Sequence, residues 1–419
     1  MKKLFALLLS LAMVLALVAC GQKDPTPDTP DTPDDPQTKV EYKVAMITDY
    51  GDITDQSFNQ TTYEACKAFA EDNSIEFSYF KPAGDNTADR VAMIEKAVDE
   101  GFNVIVMPGY AFGGAIVEAA PEFPDVKFIA LDVAAGDLLE TAVAKAGESY
   151  DYTPENWDLN KYVDMSNVYC AVYQEELCGY MAGYAAVKLG YKNLGFLGGM
   201  SVPAVVRYGY GFVQGANAAA ADMGLTDVTI NYIYGGQFFG DADITAVMDT
   251  WYQGGTEVVF ACGGGIYTSA VDAAKKVDGK VVGVDVDQAG VIAKYAAGDG
   301  ADEATIAKYL DLTVTSAMKG LYPATYDTLN DVINNGNWEK YVGKIETLGL
   351  VSGTDPEANY VQIPMGDGTQ WSDSFTQDDY KAMVADMFDG KVTVSNDTKK
   401  AAKDFATVIT VNDQGQIKG

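Results

Sequence analysis

Residues 43–60 read KVAMITDYGDITDQSFNQ. A short apolar run, Val44 to Ile47, ends in Asp49 and passes through a turn rich in Gly and Asp. It then enters a segment from Ser57 whose apolar positions recur at helical spacing. A strand feeding a helix in this way is half of a parallel βαβ unit. Outward from it the same grammar repeats. Expected strands are 43–49, 75–81, 103–108, 127–132, 168–173, 193–199, 228–234, 257–262 and 280–285. Expected helices are 57–71, 87–100, 113–122, 174–189, 205–223, 244–253 and 270–277, with a weaker one around 315–322. Strands that are apolar throughout and separated by helices predict parallel sheets covered on both faces.

The roughly 380 residues after residue 40 exceed one ordinary core. The alternation breaks over the polar, aromatic stretch 145–166, within which 150–162 reads as an insertion. We therefore expect an α/β protein of two lobes, each a parallel sheet flanked by helices, with the ligand cleft between them. The first lobe would run over 40–165 with part of 286–345, and the second over 166–285 with part of 346–419.

The N-terminal residues carry a different message. Lys2 and Lys3 precede a run that is apolar from Leu4 to Val18 except at Ser10, and LVACG follows at 17–21. The run is short for a membrane span, which needs about 20 apolar residues, and it has the basic start and small-residue end of a signal peptide. The Leu-Val-Ala-Cys order matches a bacterial lipobox, so residues 1–19 are expected to be removed and Cys20 lipidated. Residues 22–38, QKDPTPDTPDTPDDPQT, hold nothing to bury. Residues 20–39 then form an extended tether, long enough to hold a domain roughly 50 Å from a membrane surface.

Composition removes several chemistries. The chain has no histidine, which takes away the usual general base, the Ser-His and Cys-His pairs and the commonest zinc ligand. A formal net charge of −31, with Arg90 and Arg207 the only arginines, argues against nucleic acid as a partner. Cys66, Cys170, Cys178 and Cys262 show no metal or redox spacing and read as free thiols, with a Cys170–Cys178 bridge as the alternative. No cofactor is expected.

Ligands of open parallel sheets bind beyond the carboxyl ends of the strands. Those ends carry Asp49, Asp132, Gly263-Gly264-Gly265 and Asp285, and Phe58 opens the first helix. Carboxylates accept hydrogen bonds from vicinal hydroxyls, and an aromatic ring offers a stacking face, so a ribose with a planar base would use both. Taken singly, each aspartate also reads as a helix N-cap and Phe58 as core.

The ordered motifs Asp49-Tyr50-Gly51, Asp55-Gln56-Ser57-Phe58-Asn59-Gln60, Phe123-Pro124-Asp125, Gly195-Phe196-Leu197-Gly198-Gly199, Gly283-Val284-Asp285-Val286-Asp287-Gln288 and Thr315-Ser316-Ala317-Met318-Lys319 together resemble the basic membrane protein family of bacterial lipoproteins. This family includes the PnrA-like purine nucleoside receptors. The resemblance implies a type I periplasmic-binding-protein fold. It also implies a membrane-anchored substrate-binding protein, not an enzyme, that hands nucleosides to the permease subunits of an ABC importer. By matched position, Asp49, Asn59 and Asp132 would address the base and Phe58 would stack, with Tyr208 as a second ring. Asp285 and Lys319 would hold the ribose, and Gly264 would allow close backbone approach. The alternatives are a binding protein for another small polar ligand, such as a sugar or signalling molecule, and an extracellular nucleoside-cleaving enzyme, against which the missing histidine weighs.

Overall fold

The computed structural model describes residues 41–418. The expected signal peptide, Cys20 and the whole tether lie outside the described residues. The first strands alternate with helices as the apolar pattern demands: β1 (Lys43–Ile47), β2 (Glu76–Phe80), β3 (Val104–Pro108), β4 (Lys127–Leu131) and β5 (Val168–Tyr173). They are followed by β6 (Asn193–Gly198), β7 (Thr229–Tyr234), β8 (Val258–Cys262) and β9 (Lys280–Asp285). β10 (Thr313–Lys319), β11 (Ile345–Leu348), β12 (Val361–Gln362) and β13 (Thr410–Gln416) complete the set.

Two sheets result, in the orders β11-β5-β4-β3-β1-β2 and β12-β10-β9-β8-β6-β7-β13. All pairings are parallel except that of β10 with β12. The central strands are buried on both faces, because helices cover each side: Ile94, Ile116 and Leu138 pack on the first sheet, and Ile244, Met248 and Val271 on the second. In the second lobe, helix Glu175–Lys188 lies against helix Pro203–Met223 with backbone touching backbone. A Cβ added at Gly179 would sit 2.3 Å from the Tyr208 carbonyl oxygen, and one at Gly215 would sit 2.0 Å from that of Tyr180. Only glycine permits that approach.

The chain passes between the sheets at Gln174, at Gly320 and over residues 349–360. These passages are tied to one another. Gln174 N donates to Leu348 O at 3.0 Å, Tyr360 N to Gly349 O at 3.0 Å, and Gly320 N to Tyr360 O at 2.7 Å. Such a bundle of adjacent crossings makes a hinge.

Two sequence expectations need correction. The passage out of the first lobe is not at residue 165, because β5 pairs with β4 and belongs to the first sheet. The irregular stretch before it folds back on that lobe, where Asn167 Nδ2 donates to the carbonyls of Ala120 (3.1 Å) and Phe123 (2.9 Å). The segment around 315–322 is no helix through Lys319. It is the strand β10, paired with β9 and lying one strand in from the edge of the second sheet, and a helix starts only at Leu321. That helix, Leu321–Ile333, packs on helix Phe58–Asn73 of the first lobe, with Tyr326 edge-on to Phe69. Residues 286–345 are thus shared between the lobes, while β12 and β13 join the second sheet. All four cysteines among the described residues are buried free thiols.

Candidate functional site

The carboxyl ends of the two sheets face a cavity of about 360 Å³, within the size range of small-molecule sites. Asp49, Phe58, Asn59, Asp132, Tyr208, Gly264, Asp285 and Lys319 all line it. None of the three aspartates is the N-cap of the helix that follows it.

One end is built by the loop after β1. Asp49 Oδ1 accepts from the backbone N–H of Tyr50 (2.6 Å) and Gly51 (2.7 Å) and from Asn59 Nδ2 (3.4 Å). Asp55 accepts from the N–H groups of Ser57, Asn59 and Gln60, which closes the first turn of helix Phe58–Asn73 and fixes Phe58 and Asn59 at the cavity wall. Burial raises the pKa of Asp49 despite those donors, and it lifts Asp55 to about 6. Asn59 Oδ1 is buried with no hydrogen-bond partner, an arrangement that calls for a donor.

The other end gathers charge from both lobes. Lys319 Nζ, from β10, lies 2.5 Å from Asp132 Oδ2, 3.5 Å from Glu175 Oε1 and 3.8 Å from Asp285 Oδ1. It also sits 4.7 Å from the centre of the Phe58 ring, in cation–π range. Asp285 accepts from Ser57 Oγ at 2.5 Å and from the Tyr208 hydroxyl at 3.2 Å. Arg207 Nε donates to Glu175 Oε2 at 2.7 Å. Asp132 (φ 60°) and Asp285 (φ 65°) both adopt the left-handed conformation, which turns each out of its strand into the cleft. Burial, opposed by Lys319 and reinforced by Glu175, brings Asp132 to about 6. Burial would push Lys319 down, but Asp132, Asp285 and Glu175 together hold it above its ordinary value. Asp132 Oδ1 has no partner.

Four participants escape the sequence reading. Phe238 comes from the loop after β7 and lines the cavity from the second lobe, its ring 6.1 Å from that of Tyr50 and 26° from parallel. The space it fills is left by glycines: a Cβ on Gly263 would be 2.6 Å from Phe238 Cδ1, and one on Gly264 would be 2.9 Å from Phe238 O. An aromatic pair in the glycine loop GGQFFG at a strand end is the signal that points to it. Tyr208, expected as a ring to stack on, is 2% exposed and spends its hydroxyl on Asp285. Ser57, Glu175 and Arg207 complete the charged end. Glu175 and Glu176 read in sequence as ordinary acids of a first helical turn.

The lining carries Asp49, Asp52, Asp55, Asp132, Asp137 and Asp285 against Lys81, Arg207 and Lys319. Such a cleft repels anions and favours a neutral ligand rich in hydrogen-bond donors. Aromatic side chains of Tyr50, Phe58, Tyr110 and Phe238 line it between charged groups.

The family model for PnrA-like ABC transporter substrate-binding proteins matches residues 42–354. Among named relatives, the ABC transporter nucleoside-binding protein BmpA of Lactococcus lactis subsp. cremoris is 25% identical, over 92% of this chain and 96% of its own length. Basic membrane protein B of Borreliella burgdorferi is 26% identical, over 77% of this chain and 83% of its own. An ABC transporter solute-binding protein from Aeropyrum pernix K1 superposes with a TM-score of 0.58 at 18% identity, covering 87% of this chain and 90% of that one. The fold is that of type I periplasmic binding proteins. With its model spanning both lobes and the cleft between them, this chain belongs to the Bmp family of PnrA-like ABC transporter substrate-binding proteins.

Proposed function

We propose that the cleft captures nucleosides, purine nucleosides foremost, and presents them to the permease of an ABC importer, with the protein held at the outer face of the membrane by a lipid on Cys20. The observation that carries this reading is the pairing of aromatic walls with two chemically distinct ends. Phe58 and Phe238 would take the base between them. Asn59, whose buried Oδ1 lacks a donor, would meet the base edge together with Asp49, whereas Asp132, expected there too, would join the ribose end through its contact with Lys319. Asp285 and Lys319 would hold the ribose hydroxyls, displacing Ser57 Oγ from Asp285. Gly264 would let the loop approach closely, and Tyr208 would act by orienting Asp285 rather than by stacking. The name of the Lactococcus relative points the same way. Ligand that bridges the lobes would favour their closed arrangement, which the permease reads.

The experiment is native purification followed by denaturation and mass spectrometry of what is released. Nucleosides in stoichiometric amount support the reading. A sugar or another polar metabolite in their place refutes it. Labelling of the full chain with radioactive palmitate in a bacterial host, abolished by Cys20→Ser, tests the anchor.

A further inference from the structure

We propose that β13 and Lys418 clamp the loop that carries Phe238, so that the tail sets how firmly the cleft holds its ligand. The family match ends at residue 354, and β13 lies well beyond it. This strand extends the second sheet at its edge, pairing Thr410 with Thr229 through Asp413 with Tyr232. A bulge at Gly415 (φ 73°) shifts the register, and pairing resumes at Gln416 with Tyr234, the last residue before the loop. Ile417 N then donates to Tyr234 O at 2.8 Å.

Past that point the tail turns onto the loop itself. Gly236 has φ 85°, and a Cβ there would stand 2.6 Å from the Lys418 carbonyl oxygen, so the two backbones are in contact. The Lys418 ammonium bonds the Asp241 carboxylate. Asp241 Oδ2 also accepts from Gln237 Nε2 at 2.9 Å, and that same amide donates to Phe239 O at 2.9 Å. Asp241 Oδ1 meanwhile caps helix Ala242–Gln253 through the N–H groups of Asp243 and Ile244. The chain Lys418, Asp241, Gln237, Phe239 therefore fixes the loop between strand and helix, with Phe238 at its tip. Phe239 is 60% exposed, so on the solvent side the tip is held by this chain, while on the inner side Gly265 N donates to Phe238 O at 2.8 Å. A ring held in place before the ligand arrives loses less freedom on binding. Lys418 is a positioning residue in this scheme, since it lies outside the cavity wall.

The role assigned to Phe238 rests on the nucleoside reading, whereas the clamp on the loop does not. The test uses the full chain carrying Ile417→Ala with Lys418→Ala, Lys418→Arg alone, and Asn217→Ala. Asn217 Oδ1 accepts from Thr407 N and Val408 N, so its loss frees the tail far from the loop. Hydrogen exchange without ligand is expected to quicken about tenfold at amides 235–241 in the double variant, and to stay at the parent rate in Lys418→Arg and Asn217→Ala. Titration with guanosine is expected to show about fivefold weaker binding in the double variant only. Unchanged exchange at 235–241, or equal acceleration in Asn217→Ala, overturns the clamp. If the parent chain binds neither guanosine nor adenosine, inosine or uridine, the nucleoside reading falls and the exchange data alone decide the clamp.

Discussion

Lys319 Nζ and Asp132 Oδ2 lie 2.5 Å apart, and they come from different sheets. Lys319 ends β10 beside the hinge passage at Gly320, while Asp132 follows β4 in the first lobe. The same ammonium also faces Glu175 and Asp285, so one buried cation neutralises carboxylates that both lobes contribute. The same few side chains therefore tie the two lobes together at the cleft.

Removing that cation leaves buried acids uncompensated. Lys319→Met is expected to cost about 3 to 5 kcal/mol of stability, the usual penalty for breaking a buried charge pair. Urea unfolding checks it. A loss below about 1 kcal/mol would mean that water reaches the cluster and already screens it.

Stability should rise on mild acidification. Burial lifts Asp55 and Asp132 to about 6, and Asp137 and Glu176 to about 7, above ordinary carboxyl values of 3.8 for Asp and 4.5 for Glu. The folded state thus binds more protons than the unfolded chain between about pH 4 and 7, so each group stabilises the fold as pH falls through that window. Thermal unfolding is expected to give a higher Tm at pH 5.5 than at pH 8. A Tm that climbs from pH 5.5 to pH 8 would contradict this.

Phe58→Ala removes one wall of the cleft. Stacking on an aromatic ring is worth about 1 to 3 kcal/mol per base, so nucleoside affinity should fall between about 5- and 150-fold. Because the ring is only partly buried, Tm should move little. Affinity unchanged in a calorimetric titration would place the base elsewhere.

The glycine seam of the second lobe should tolerate nothing larger. Gly215→Ala brings a methyl within 2.0 Å of the Tyr180 carbonyl oxygen, backbone that cannot rotate away. Overpacking of this kind costs about 1 to 3 kcal/mol or more. Denaturant unfolding measures it, and a neutral outcome would show that the helices slide apart freely.

Much of this was legible in the residues. The strands β1 to β9 announce themselves because buried parallel strands are apolar runs, and strand-end aspartates with Phe58 fall in the cleft because the topology sends every such end there. β10 hid because its sequence, TVTSAMK, is half polar. Thr315 Oγ1 is satisfied by Thr369 and Ser316 Oγ by Gln288 N, partners that only the fold brings near. β5 was displaced to the wrong lobe since an irregular stretch at 145–166 looks like a crossing, whereas the real one is the single residue Gln174 between β5 and helix Glu175–Lys188. Phe238 lies in a glycine loop without periodicity, where only the aromatic pair at a strand end marks it. Glu175 and Arg207 pair across two helices, a contact that spacing does not encode.

Isothermal titration of the chain from residue 39 onward with guanosine, adenosine, inosine, uridine, ribose and free bases decides whether the cleft captures nucleosides. One-to-one binding of purine nucleosides without turnover is expected, with weak or no heat from ribose alone and loss of binding in Asp285→Ala. No heat from any nucleoside, with tight binding of a sugar or another polar metabolite, would contradict it.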